Sequence, residues 1–193
     1  MIRAILFDTD GVLALPEKSF SRHYAESKGL DYAPFVDFFK SKFGDSKLGK
    51  ADLKKLVLNN DDVWHLEGSV EELLNQWFEY ENIVNEPLIE IIQDIRKSGV
   101  LCFIATSQER NRADYIRDVM FKDKLDGFIF SCDLGLDKGD PEFFKETLKV
   151  LSMSPDEVAF IDDGQENVDS AKSVGIGAFL YTDVSKVKED LKL

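Results

Sequence analysis

Ala4-Ile5-Leu6-Phe7-Asp8-Thr9-Asp10-Gly11-Val12-Leu13 decides how this chain reads. Four apolar residues run into two carboxylates spaced i, i+2, followed by a glycine. A short apolar run bounded by a turn signal reads as a strand buried on both faces of a parallel sheet. Asp8 is then the first residue beyond the strand's C-terminal end, the edge where open α/β sheets bind ligands. Two acids at such an edge repel unless a cation joins them, so a metal ion is the natural companion. A calcium-binding loop does not fit. Counting from Asp8, Gly11 falls fourth and Ser19 twelfth, whereas that loop needs glutamate at the twelfth place. An acidic turn with no ligand also suits these residues, so the rest of the chain has to decide.

After Val12 the periodicity changes. From about Glu17 to Asn82 the apolar residues recur at helical spacing, with no strong strand. Phe20, Tyr24 and Ser27 fit one face, Phe35, Phe38, Phe39 and Phe43 the next, then Leu53, Leu56, Val57 and Asn60. Val70, Leu73, Leu74, Trp77 and Phe78 make the strongest stripe. Trp64 and Trp77 at such spacing are core residues rather than a ligand platform. From Pro87 onward strands and helices alternate. Helices are expected over 88–98, 110–120, 141–151 and 166–174, with a last one from Val184. Strands are expected over 100–105, 127–130, 158–161 and 176–181. Repeated β-α units imply a parallel sheet with helices on both faces. The expected organisation is an α/β core from 1–14 and 84–193, interrupted by an all-helical insert over 15–83.

Each strand of that core ends in residues suited to one chemistry. The first ends in Asp8 and Asp10, the second in Thr106-Ser107, and the strand at 158–161 in Asp162-Asp163-Gly164. Lys138 lies in a loop just before a helix start. Singly, each has an ordinary explanation: a helix N-cap for Thr106-Ser107, a solvated lysine, an acidic turn. Together, independent turns have no reason to order acids, hydroxyl, lysine and acids at successive strand ends.

These four stretches resemble the motifs of the haloacid dehalogenase-like hydrolase superfamily, in order and spacing. Asp8-Thr9-Asp10-Gly11-Val12 resembles its D-x-D-G-[TV] motif, and Phe103-Ile104-Ala105-Thr106 its strand ending in Thr or Ser. Lys138-Gly139-Asp140-Pro141 resembles its lysine motif, with Gly139 where proline is usual. Phe160-Ile161-Asp162-Asp163 resembles its terminal acid pair, followed by Asn167, Ala171 and Gly175. The resemblance covers essentially the whole chain and implies a Rossmann-like core with a small helical cap.

The resemblance further implies a Mg²⁺-dependent phosphatase acting on a small phosphomonoester, such as a sugar phosphate, through an aspartyl-phosphate. Asp8 is then the nucleophile and a metal ligand, and Asp163 the second metal carboxylate. Asp162 supports the metal, and the Asp10 carbonyl completes the protein ligands. The Asp10 side chain is the general acid and base. Thr106, the Ser107 amide and Lys138 hold the phosphoryl group, with Lys138 also neutralising charge. A sugar-phosphate mutase shares every one of these residues. A non-enzymatic phospho-ligand scaffold is the reading of another class, and the intact acids, Thr106 and Lys138 argue against it. A metal-free dehalogenase is disfavoured by Asp10, and a receiver domain by the i, i+2 spacing of the first acids. Lys47 and Lys50, near Gly49 in the insert, are candidates for the far end of a substrate, though plain solvated lysines are the commoner case.

Composition sets outer bounds. Length of 193 residues suits one domain with an insert, and 44% hydrophobic content is ample for a core. A net charge of −13 without a basic face speaks against nucleic acid and against anionic membranes. The longest apolar run, 100–105, is far too short for a bilayer. With no signal-peptide pattern and only Cys102 and Cys132, a cytoplasmic setting without disulfides is expected, as monomer or homodimer.

Overall fold

Strand β1, Ala4–Phe7, is wholly buried and lies at the centre of the sheet. The computed structural model, which describes residues 1–191, places it between β2 (Leu101–Thr106) and β4 (Val158–Asp162). Strands β3 (Gly127–Phe130) and β5 (Gly177–Leu180) complete a five-stranded sheet of order β3-β2-β1-β4-β5, with every pairing parallel.

Strand alternation sorts the core into two layers. Ile5, Phe7, Cys102, Ile104, Ala159 and Ile161 face one side. They pack under α7 (Glu86–Lys97), α8 (Arg110–Tyr115) and α12 (Val184–Leu191). Ala4, Leu6, Ala105, Val158 and Phe160 face the other side, under α10 (Pro141–Leu151) and α11 (Gln165–Ser173). Strands with both faces covered carry no alternating polar residues, which is why β1 and β4 read as unbroken apolar runs. The helix expected over 110–120 is α-helical only to Tyr115, then widens into a π-helical turn, Ile116–Met120. A short helix α9, Ser131–Leu134, follows β3 directly and has no apolar periodicity to announce it.

Between β1 and α7 the chain makes six helices: α1 (Phe20–Lys28), α2 (Ala33–Ser41), α3 (Gly44–Lys47), α4 (Leu53–Leu58), α5 (Asp61–Trp64) and α6 (Val70–Tyr80). They enclose their own aromatic core, in which Trp64 is fully buried among Phe35, Phe38 and Trp77. Truncating Trp64 to alanine is expected to cost about 3–5 kcal/mol. Ser69 and Glu72 form a reciprocal capping box at the start of α6, and Asp52 caps α4. Ser27, expected on the apolar face of α1, is exposed, and Ala25 takes the buried place. The polypeptide enters and leaves this bundle side by side: the Leu15 N–H donates to Ile83 O at 2.8 Å and the Asn85 N–H to Leu13 O at 2.9 Å. Buried Asn85 also donates from its amide to Val12 O and Tyr181 Oη.

Candidate active site

Sheet register brings the ends of the three central strands together. Phe7 is level with Ile104 on one side and Ile161 on the other. The Asp8 N–H still donates to Ile161 O at 2.9 Å, so Asp8 leaves the sheet next to Asp162. Between these two carboxylates sits the Lys138 ammonium, 2.5 Å from Asp8 Oδ1 and 2.7 Å from Asp162 Oδ2. All three side chains are buried.

Asp162 is saturated, because its Oδ1 accepts from the Gly164 N–H at 2.7 Å and from Asn167 Nδ2 at 3.0 Å. Asp8 Oδ1 also accepts the Thr9 N–H at 2.7 Å. Its Oδ2 has no hydrogen-bond donor among the described residues. Asp163 is more open, and carboxylate oxygens of Asp8, Asp162 and Asp163 lie within 4.8 Å of one another. Gly11, at φ +82°, makes this approach possible, since a Cβ there would collide with the Asp163 carboxylate.

Three carboxylates face one ammonium, and the electrostatics register the imbalance. Burial pushes the Asp8 carboxyl up to about 7, with Lys138 pulling it down and Asp162 adding to the rise. Partial burial, then Asp162, raises Asp163. Burial alone would lower Lys138, but Asp8 and Asp162 outweigh it and hold the ammonium above its ordinary value. An all-oxygen cluster with excess negative charge is what a hard divalent cation relieves.

Thr106 ends β2 and is buried. Ser107 makes side-chain contacts that sequence reasoning missed. Its hydroxyl donates to Asp137 Oδ1 and accepts the Lys138 N–H, both at 3.2 Å. Asp137 in turn takes Lys47 Nζ of the insert at 2.8 Å. This chain of contacts pins the loop that carries Lys138. Gly139, where proline is usual in the resembled motif, has room for a Cβ and no positive φ. Lys47 therefore bridges the insert to the sheet edge, whereas Lys50 is exposed.

Asp10 stands apart from the three-acid cluster. Its side chain is 53% exposed and faces a cavity of about 650 Å³ between the sheet edge and the helical insert. Gln108 Nε2 donates to Asp10 Oδ2 at 2.5 Å. Arg112, buried, lies 4.0 Å from Asp10 Oδ1 and 3.7 Å from Glu81 Oε2, and donates to Phe78 O at 3.1 Å. Burial pushes the Glu81 carboxyl up. Gln108, Arg112 and Glu81 were not expected. Nothing in the local pattern announced them: Gln108 lies in the turn before α8, Arg112 within it and Glu81 at the end of α6.

The family model for haloacid dehalogenase-like hydrolases matches residues 2–175, and the chain belongs to that family of hydrolases. It is 26% identical over 213 residues to bifunctional epoxide hydrolase 2 of Rattus norvegicus, covering 99% of this chain. The chain spans only 38% of that relative's length. It is also 26% identical over 180 residues to a phosphorylated carbohydrates phosphatase of Thermotoga maritima, covering 91% of this chain and 82% of the relative. A crystal structure of a family enzyme from Bacteroides thetaiotaomicron, in complex with magnesium and inorganic phosphate, superposes with a TM-score of 0.81 at 16% identity. That superposition covers 97% of this chain and 99% of the other.

Proposed function

We propose that this hydrolase is a Mg²⁺-dependent phosphatase that releases inorganic phosphate from a small phosphomonoester through an aspartyl-phosphate. The observation that carries the reading is Asp8: a buried carboxylate with one oxygen tied to Lys138 and the other open, beside Asp163. The relatives above include a phosphatase of phosphorylated carbohydrates, which agrees with it. The helical segment 15–83 acts as the cap over the site.

Asp8, Asp163 and the Asp10 carbonyl would hold the metal, with Asp162 bracing the cluster through Lys138 rather than binding strongly itself. Mg²⁺ fits this set because it prefers few carboxylates and keeps water and phosphate oxygens. When bound, it neutralises phosphate charge and lets Asp8 stay ionised at neutral pH.

The free oxygen of Asp8 attacks phosphorus, and the P–O bond to the alcohol breaks. Asp10, reaching the cavity from one residue beyond Thr9, gives the departing oxygen its proton. The alcohol leaves, and Asp10 then takes a proton from the water that opens the acyl-phosphate, returning Asp8 and releasing phosphate. Thr106 and the Ser107 amide hold phosphoryl oxygens, and Lys138 balances charge on them and on Asp8. The test is phosphate release from p-nitrophenyl phosphate with Mg²⁺ or with EDTA, plus mass-spectrometric location of the trapped phosphate. Turnover that survives EDTA, or phosphate on an acid other than Asp8, contradicts the reading.

A further inference from the structure

The cavity that receives Asp10 has a wall whose chemistry says what leaves the phosphate. Its volume of about 650 Å³ far exceeds the space a phosphoryl group needs and lies within the range of small-molecule sites. Asp10, Gly11 and Ser107 line the end nearest the acid cluster. The lining also includes Leu15 and Val36 and, from the aromatic core of the insert or packed against it, Phe39, Phe43 and Trp77. A sugar brings several hydroxyls, and each one buried without a partner weakens binding roughly tenfold. Four of those five side chains offer no donor or acceptor. Near the acid-cluster end Gln108 donates to Asp10 and Arg112 lies between Asp10 and Glu81, and Ser19, Ser21, Tyr32 and Lys40 add polar groups along the insert, but apolar surface predominates in the lining.

We infer that the leaving group is an apolar alcohol, so that the substrate is a phosphomonoester with a hydrocarbon tail rather than a sugar phosphate. The inference rests on the phosphatase reading above. The tail lies against the insert, the ester oxygen meets Asp10, and the phosphoryl group lies at Asp8. Water is consumed, and the alcohol and inorganic phosphate are released. Leu15 is 42% exposed, and Val36 is partly exposed, so both offer apolar surface to a ligand without being part of the packed interior.

The experiment measures kcat/KM with Mg²⁺ on n-alkyl phosphates from ethyl to octyl, below their micellar concentrations, with glucose 6-phosphate as the polar comparison. Each added methylene is expected to raise kcat/KM about threefold to fourfold until the chain fills the cavity. A flat series, or glucose 6-phosphate turned over faster than octyl phosphate, overturns the inference. Leu15→Gln and Val36→Gln are expected to reduce kcat/KM on octyl phosphate more than on ethyl phosphate; equal losses on both count against it. Acetyl phosphate, which has no tail and a good leaving group, tests the phosphatase reading separately. Quenching of tryptophan fluorescence by n-alkylphosphonates reads the cavity without turnover. Affinity that climbs with chain length supports the tail site, and affinity independent of length defeats it, whatever acetyl phosphate does.

Discussion

Gln108 Nε2 donates to Asp10 Oδ2 at 2.5 Å, tying the turn after β2 to the turn after β1. The hydrogen bond aims the exposed carboxylate of the first motif at the cavity instead of at the acid cluster. Two carboxylates of one motif are thereby given different surroundings, and different surroundings allow different tasks.

Asp10→Asn is expected to slow phosphorylation by alkyl phosphates roughly 10²–10⁴-fold, the usual worth of a general acid. An aryl phosphate leaves more easily without a proton, so p-nitrophenyl phosphate should lose less. Gln108→Ala should move the same ratio in the same direction by a smaller factor. Single-turnover kinetics make the comparison, because hydrolysis of the acyl-phosphate also slows without Asp10. Equal losses on both substrate types remove the acid role.

Lys138→Met leaves the buried carboxylates of Asp8 and Asp162 facing each other without their shared ammonium. Breaking a buried ion pair in this way costs about 3–5 kcal/mol, or about 6–20 °C in Tm for a chain of this size. Mg²⁺ should restore part of the loss. Thermal unfolding in EDTA and in Mg²⁺ is the check; a variant as stable as wild type in EDTA contradicts it.

Asp163→Asn and Asp162→Asn should fail differently. Asp163 has an open carboxylate, so its amide should weaken Mg²⁺ binding with little change in Tm. Asp162 accepts from Lys138, Gly164 and Asn167, so its amide should lower Tm as well. Calorimetric Mg²⁺ titration beside a melting curve separates the two, and identical profiles would erase the distinction.

Burial pushes the Cys102 thiol up to about 12 and the Cys132 thiol up to about 11. Neither is a thiolate between pH 7 and 9, and both side chains are buried. Folded protein should therefore react with Ellman's reagent at least an order of magnitude more slowly than protein in guanidinium, where both thiols return to about 8.5. Rapid labelling of either cysteine in the native state would contradict this.

Much of the fold is legible because the central strands are buried on both faces and the longer helices are amphipathic, so period separates them. Ala4–Phe7 and Gly127–Phe130 are strands over the ranges expected from the residues. The π-helical turn at 116–120 is not legible, since Ile116 and Met120 suit an α-helix equally well. Nor is α9, whose four residues are too few for a period to show.

The site divides along the same line. Asp8, Thr106, Lys138, Asp162 and Asp163 stand out in the chain because each follows or precedes an element whose pattern is plain. A parallel sheet then leaves little freedom about where strand ends lie. Gln108, Arg112, Glu81 and Asp137 were decided only by the tertiary structure. Their partners are 98 residues away for Gln108 and 30 for Asp137, and no local period links such positions. The apolar wall of the cavity belongs to the same class. Phe39 and Trp77 read as core residues of helices, and only the packing of the insert against the sheet edge turns part of that core toward Asp10. Local sequence determined which groups stand at the sheet edge, because strand ends are local. Long-range packing decided the cavity beside them, because a cavity exists only between elements that the chain brings together from afar.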